Sequence, residues 1–204
     1  MMKLNPAYQA LLLSFLWLSL ASPHTAHADA KPPFVAPDNL ALLVFIQNTR
    51  EDRALSYTVF DLDRQCIAEV RGRQAELVPM KPGKHTLYIS AYNNHRIDVS
   101  LAAGRTYFIR LYSSAKVTTR ASNVTVVQRG SDAYKQLGTW LHGADVVHVN
   151  DDPCSGKPLQ ERSNRTQRRI NEANGDWKES DPATQADFML IQSDGLTAHE
   201  AGQL

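Results

Sequence analysis

Ala41-Leu42-Leu43-Val44-Phe45-Ile46 is a continuous apolar run of strand length, and such a run reads as a strand covered on both faces. It is expected to lie at the centre of a sheet. On its C-terminal side, Leu55, Tyr57 and Val59 alternate with Ser56 and Thr58, the period of two that marks a half-buried strand. After a turn at Asp61-Leu62-Asp63-Arg64, the residues Cys66, Ala68 and Val70 are expected on one face of the next strand, which Arg71-Gly72-Arg73 closes. Leu77-Val78-Pro79 then leads into Lys81-Pro82-Gly83-Lys84, where Pro and Gly at the two central positions suit a type II turn.

The clearest hairpin follows. His85, Leu87, Ile89 and Ala91 alternate with Thr86, Tyr88, Ser90 and Tyr92 as far as Asn93-Asn94, a pair that tolerates the positive φ of a tight connection. The return strand sets Ile97, Val99 and Leu101 against Arg96, Asp98 and Ser100, so its outer face is expected to be wet. Past Ala102-Ala103-Gly104-Arg105, one more strand carries Tyr107, Ile109 and Leu111 inward, and a last one spans Asn123 to Gln128. About seven or eight short strands punctuated by turns predict an all-β antiparallel sandwich, immunoglobulin-like or transthyretin-like in outline.

From Ser131 the period changes. Ala133, Leu137, Trp140 and Leu141 form one helical stripe, with Ser131 placed as N-cap and Gly143 just beyond the end; this helix is expected to pack on the sandwich. Leu159 to Asn174 is so polar that it reads as an exposed helix or as unstructured chain. Ser180-Asp181-Pro182 starts a short helix expected to carry Phe188, Leu190 and Ile191, with Asp194-Gly195 turning out of it.

At the other end, Lys3, the mainly apolar run Ala7 to Leu20, the break at Ala21-Ser22-Pro23 and the small residues Ala26 to Ala30 follow the order of a secretory signal peptide. The run is short of the ~20 apolar residues that cross a bilayer. Cleavage fits after Ala28 or after Ala30, and Ala28 is taken as the boundary. No cysteine lies between Leu18 and Ala30, so no lipid anchor is encoded there. The expected organisation is a signal peptide at 1–28, a Pro-rich lead-in at 29–39, a β-sandwich domain at 40–128, a packing helix and loop at 129–150, and a polar, partly disordered and partly helical C-terminal extension at 151–204. No transmembrane segment is expected after signal removal, and the location is periplasmic or secreted.

Lys and Arg number 22 against 21 for Asp and Glu, so the whole molecule has no field to gather nucleic acid. The two cysteines, Cys66 and Cys154, can form a disulfide in an oxidising compartment, which would tie the extension to the sandwich.

Between Ala41 and Tyr112 the chain resembles a family of exported bacterial proteins, mostly lipoproteins, that carry an uncharacterised small β-sandwich domain. The resemblance lies in Ala41-Leu42-Leu43-Val44-Phe45, Leu55-Ser56-Tyr57-Thr58-Val59, Pro82-Gly83-Lys84-His85-Thr86 and Ala103-Gly104-Arg105-Thr106-Tyr107. The Pro-Gly turn before a strand is also similar to that of carboxypeptidase regulatory-like modules. The resemblance implies an envelope location and a sandwich, and it brings no catalytic residues.

Three groups of residues are candidates for chemistry. Arg162, Arg165 and Arg169, with Arg168 beside them, fall close to one face of a helix that could meet lipid phosphates or an acidic partner. Tyr88, Tyr92, Phe108 and Tyr112 sit on the strand phase opposite the aliphatic core, where aromatic rings bind sugars or proteins or pack under the Leu137-Trp140-Leu141 helix. His142 and His148, near Asp145, Asp151, Asp152 and Cys154, are ligand types for a divalent metal, though a helix end followed by a solvated acidic loop uses the same residues. No nucleophile elbow, phosphate-binding glycine loop or His-Glu-x-x-His sequence is present, so no catalytic residue and no cofactor is indicated. The reading is an exported cell-envelope interaction or structural module that binds a protein or glycan partner; the alternative is a metal-binding protein or metal-dependent enzyme centred on His142 and His148.

Overall fold

Every residue of strand β1 (Ala41–Gln47) is buried, because packed layers cover both its faces. Leu42, Val44 and Ile46 pack outward under a helix, while Ala41, Leu43 and Phe45 face a second sheet. The computed structural model describes residues 33–48, 55–115, 120–149, 154 and 159–204, with backbone alone at 115 and 159–163. The expected signal segment with both of its expected cleavage positions, the first residues of the lead-in, Asp151, Asp152 and the side chain of Arg162 lie outside the described residues.

Two five-stranded sheets carry the fold. The first runs β8-β7-β1-β4-β9 and the second β10-β6-β5-β2-β3. The strands are β2 (Ser56–Phe60), β3 (Cys66–Arg71), β4 (Gln74–Met80), β5 (Gly83–Ser90), β6 (Asn94–Leu101), β7 (Thr106–Ala115), β8 (Arg120–Val126), β9 (Asp145–His148) and β10 (Met189–Leu190). Between the sheets lies the main core, where Phe45, Tyr57, Val59, Leu87, Ile89, Ile97, Leu101, Tyr107 and Ile109 meet. Each such side chain contributes about 1.5–3 kcal/mol when fully buried.

The expected antiparallel sandwich is corrected to a sandwich-like pair of mixed sheets. β1 pairs antiparallel with β4 but parallel with β7, and β9 and β10 pair parallel with β4 and β6. Alternation in a sequence shows which face of a strand is buried and is silent about the direction of its neighbour. Parallel neighbours need long connections, and here they come from far along the chain. The stretch through Leu77-Val78-Pro79, expected only as a lead-in, is β4, paired with β1 from Ala41↔Met80 to Gln47↔Gln74.

A second correction concerns Cys66. Val59 pairs with Ala68 but Phe60 pairs with Cys66, so a bulge inserts Ile67 and inverts the phase of the strand. Ile67 packs against the core between the sheets, and Cys66 turns to the opposite face, beside Phe60 and Tyr88. There it is bridged to Cys154, with the Cα atoms 6.2 Å apart.

Helix α1 (Asp132–Leu141) begins as its sequence predicts: the Ser131 hydroxyl accepts from the Tyr134 N–H at 3.1 Å, satisfying one of the free donors of the first turn. Leu137, Trp140 and Leu141 cover Leu42, Val44 and Phe108, and Gly143 follows with a φ of 71°.

Beyond it come helices α2 (Leu159–Glu179), α3 (Pro182–Ala186) and α4 (Ala198–Ala201). Asp181 caps α3 by accepting from Ala183 and Thr184. Phe188, Leu190 and Ile191, expected on that helix, follow it in extended chain; Phe188 O accepts from Asp98 N, which starts the pairing of β10 with β6.

The C-terminus is pinned across the first sheet. Leu196 bridges Thr106, and Gly195 lets the chain approach Tyr107, where a Cβ would lie 2.6 Å from Cζ. Arg129 donates to Glu200 through both terminal nitrogens, at 2.7 and 3.1 Å, and to the Ser193 and Gly195 carbonyls. The Arg129 hydrogen bonds, with those from Thr197, hold the Glu200 carboxyl down at about 2.

Candidate functional site

Helix α2 is where the polar extension meets the sheet. Its composition gives little drive to pack, yet Thr166, Ile170 and Ala173 recur at three- and four-residue spacing and are all buried, the stripe that one helix face presents. Ile170 and Ala173 close on Phe60 and Tyr88. The outer face of β5 and β6, expected to be wet, is therefore partly roofed by this helix.

Polar contacts fix its rotation. The Tyr88 hydroxyl donates to Asn174 Oδ1, and Arg96 Nη1 donates to the same oxygen, both at 3.2 Å. The Arg96 guanidinium stacks 4.8 Å over the Trp177 ring and pairs with Asp98 at 2.9 Å. Asn94 donates to Glu172 at 2.6 Å, and Arg64 donates to Gln167 at 3.3 Å.

With that face held, the other side of the helix presents Asn164, Arg165 and Arg168 to solvent, with Arg169 half-buried beside them. These four residues border an open pocket of about 480 Å³. The nearby carboxylate among the described residues is Glu172, with Oε1 3.8 Å from Arg168 Nε; both side chains are largely exposed, so the pair is weak. Burial lowers the pKa of the Arg169 guanidinium, and the like charges of Arg165 and Arg168 lower it further. The arginine stays charged, but its cation is held where partial loss of water and the like charges of its neighbours both disfavour it.

The four aromatic candidates do not share a face. Tyr88 is buried beneath α2, and Phe108 is buried beneath α1, edge-on to Phe34 at 6.1 Å. Tyr112 is half-buried; the Arg110 guanidinium lies 4.8 Å from its ring and 4.4 Å from that of Trp140. Tyr92, 51 % exposed at the hairpin tip, is the one of the four that solvent reaches freely. Opposite strand phase put these rings on outer faces, and the two helices then covered those faces.

His142 and His148 are exposed, the first at the end of α1 and the second on edge strand β9. Cys154 is consumed in the disulfide and is not available as a thiolate ligand. Among the described residues no group of three His, Cys, Asp or Glu side chains converges as a metal site would require.

An open groove of about 970 Å³ escaped the sequence reading. Lys84, Thr86, Asp98 and Ser100 form its floor, and exposed Leu62, Met189 and Ile191 stand at its rim. The floor was legible as the outward phase of the hairpin. The rim was not, since Met189 and Ile191 come from some ninety residues away in the sequence. The sequence matches no protein-family model and no curated protein.

Proposed function

We propose that the protein is an exported cell-envelope interaction module that binds a protein or glycan partner through the arginine face of α2. The observation that carries this reading is the cluster of Arg165, Arg168 and Arg169 around an open pocket, on a helix whose opposite face is seated on the sheet. Such an arrangement preorganises a charged surface for recognition. Three further features support the address. The leading residues read as a secretory signal, the Cys66–Cys154 bridge suits an oxidising compartment, and no helix among the described residues is long and apolar enough to cross a membrane. The resemblance of Ala41 to Tyr112 to exported sandwich domains, immunoglobulin-like or transthyretin-like in outline, points the same way.

Crosslinking in the native envelope, followed by mass-spectrometric identification of captured molecules, tests the proposal. Replacing Arg165→Glu and Arg169→Glu together reverses the charge of the face and should abolish capture at low salt, where exposed charges act over about 10 Å or more. Capture that survives the double substitution would remove this face from the binding reaction.

A further inference from the structure

We infer that the pocket between the open edge of β6 and the C-terminal half of α2 is a binding site for one sugar ring. It is separate from the pocket at the arginines and measures about 200 Å³. Sites for drug-sized ligands run to roughly 300–1,000 Å³, so the occupant here is compact.

Donors and acceptors both occur along the wall, and this decides the ligand class. On β6 the Asp98 N–H points away from β5 to the Phe188 carbonyl. Arg96, two residues earlier, turns its own N–H and C=O to that same side, where β10 reaches only Asp98 and Val99. The pocket is bordered by Arg96 and, around it, by Asn93, His95, Asp176, Trp177 and Phe188. Among the described residues the Asn93 side-chain N–H groups, the Trp177 indole N–H and the Asp176 carboxylate make no hydrogen bond; these residues bond through other atoms. His95 Nε2 donates to the Ser122 carbonyl, which leaves Nδ1 as an acceptor in the neutral ring. A hydroxyl donates and accepts at once, so a polyhydroxylated ring can serve such a wall throughout.

Charged ligands fit less well. An ammonium donates only and would leave the N–H groups without acceptors. An anion would meet the Asp176 carboxylate and gain little from Arg96, each of whose guanidinium nitrogens already donates to Asp98 or Asn174. The rings supply the apolar half of the site. The Arg96 guanidinium, held by those bonds, lies 4.8 Å over Trp177, and Phe188 stacks on His95 with centroids 5.9 Å apart. Tryptophan combines an apolar face with a polar N–H, matching the C–H faces and hydroxyls of a pyranose. Walls fixed in advance lower the ordering cost of binding.

The test uses the purified protein with its disulfide intact, titrated separately with glucose, galactose, mannose and N-acetylglucosamine while the indole N–H signals are recorded by NMR. At least one sugar should move the Trp177 signal saturably and leave that of Trp140, buried under α1, in place. Asp176→Ala should weaken the affinity by at least about tenfold, the loss expected when one charged hydrogen-bond acceptor is removed. Asp132→Ala on α1 should leave it unchanged. Should Asp176→Ala disturb α2, Asp176→Asn, of equal size and without the charge, still reads the site. Raising the salt from about 0.05 to 0.5 M should not alter the affinity, because a neutral sugar has no charge to screen. No saturable shift with any of the sugars, equal affinity in the Asp176 variants, or a saturable response to methylammonium in place of sugar overturns the inference.

A second arm identifies the source of the ring. The responding sugar is compared with its linear trisaccharide: tighter binding of the trisaccharide assigns the pocket to a glycan chain, and equal binding assigns it to a single sugar. The arginine face is tested separately. Arg169 lies seven residues before Asp176, about 10 Å along the helix axis, so Arg165→Glu with Arg169→Glu should leave the affinity for a neutral sugar unchanged. Loss of sugar binding in that double variant would move the site away from the pocket and overturn the inference.

Discussion

His95 shows how a single side chain reports the closure of the fold. It lies on β6 with Nε2 2.8 Å from the Ser122 carbonyl of β8, and its ring stacks on Phe188 at 5.9 Å. With a carbonyl as partner, Nε2 carries the proton in the neutral imidazole. Burial lowers the pKa, against smaller opposing effects from the Ser122 carbonyl and Asp176. A group whose folded pKa is depressed stabilises the native state above its unfolded value, about 6.5 for histidine, and loses that contribution as the pH falls through the folded value. Stability should therefore decline on acidification below about pH 6.5. His95→Gln, which keeps a donor for Ser122 but does not titrate, should flatten the decline when urea midpoints are compared from about pH 7.5 to 5. Equal slopes in the two proteins would assign the pH dependence elsewhere. The partners of His95, 27 and 93 residues away, could not be seen from the spacing around Asn93-Asn94.

At the scale of elements, α2 is held by a small apolar contact and several polar ones. Ile170, Ala173, Phe60 and Tyr88 form a cluster distinct from the core between the sheets, so its loss should release the helix and leave the sandwich folded. Ile170→Ala deletes the largest apolar contact that α2 makes there, and large-to-small changes of this kind cost about 2–4 kcal/mol. Hydrogen exchange should quicken for amides from 166 to 177, with those of β1 and β7 protected as before. Faster exchange throughout both sheets would mean that α2 and the sandwich unfold as one unit. The sequence reading offered an exposed helix or unstructured chain for this stretch, since a stripe of Thr166, Ile170 and Ala173 is too sparse to announce burial. The helix α1, with Leu137, Trp140 and Leu141 on one stripe and a serine cap, was legible because its apolar face and its cap agree.

At the largest scale, the described residues from 33 onward form a four-layer arrangement of α1, two mixed sheets and α2, in which the Cys66–Cys154 bridge closes a loop of 88 residues. In the chain-entropy description such a closure stabilises the native state by about 4–5 kcal/mol through the unfolded ensemble. Replacing both cysteines with alanine should lower the denaturation midpoint by an amount approaching that figure, with the far-ultraviolet spectrum unchanged beforehand; a change below about 1 kcal/mol would show that the unfolded chain is already compact there. By itself the sequence determined the strands with strong alternation, the doubly buried β1, the capped α1 and the candidate disulfide pair. These follow from periods, caps and residue chemistry that neighbouring positions express. The tertiary structure alone decided the parallel pairings of β7, β9 and β10, the bulge that turns Cys66 outward, the burial of Tyr88 and Phe108, and the seating of α2 that leaves its arginines around one pocket. Each of these depends on which distant segment arrives to cover a face, and burial patterns within a segment carry no record of the partner's identity or direction.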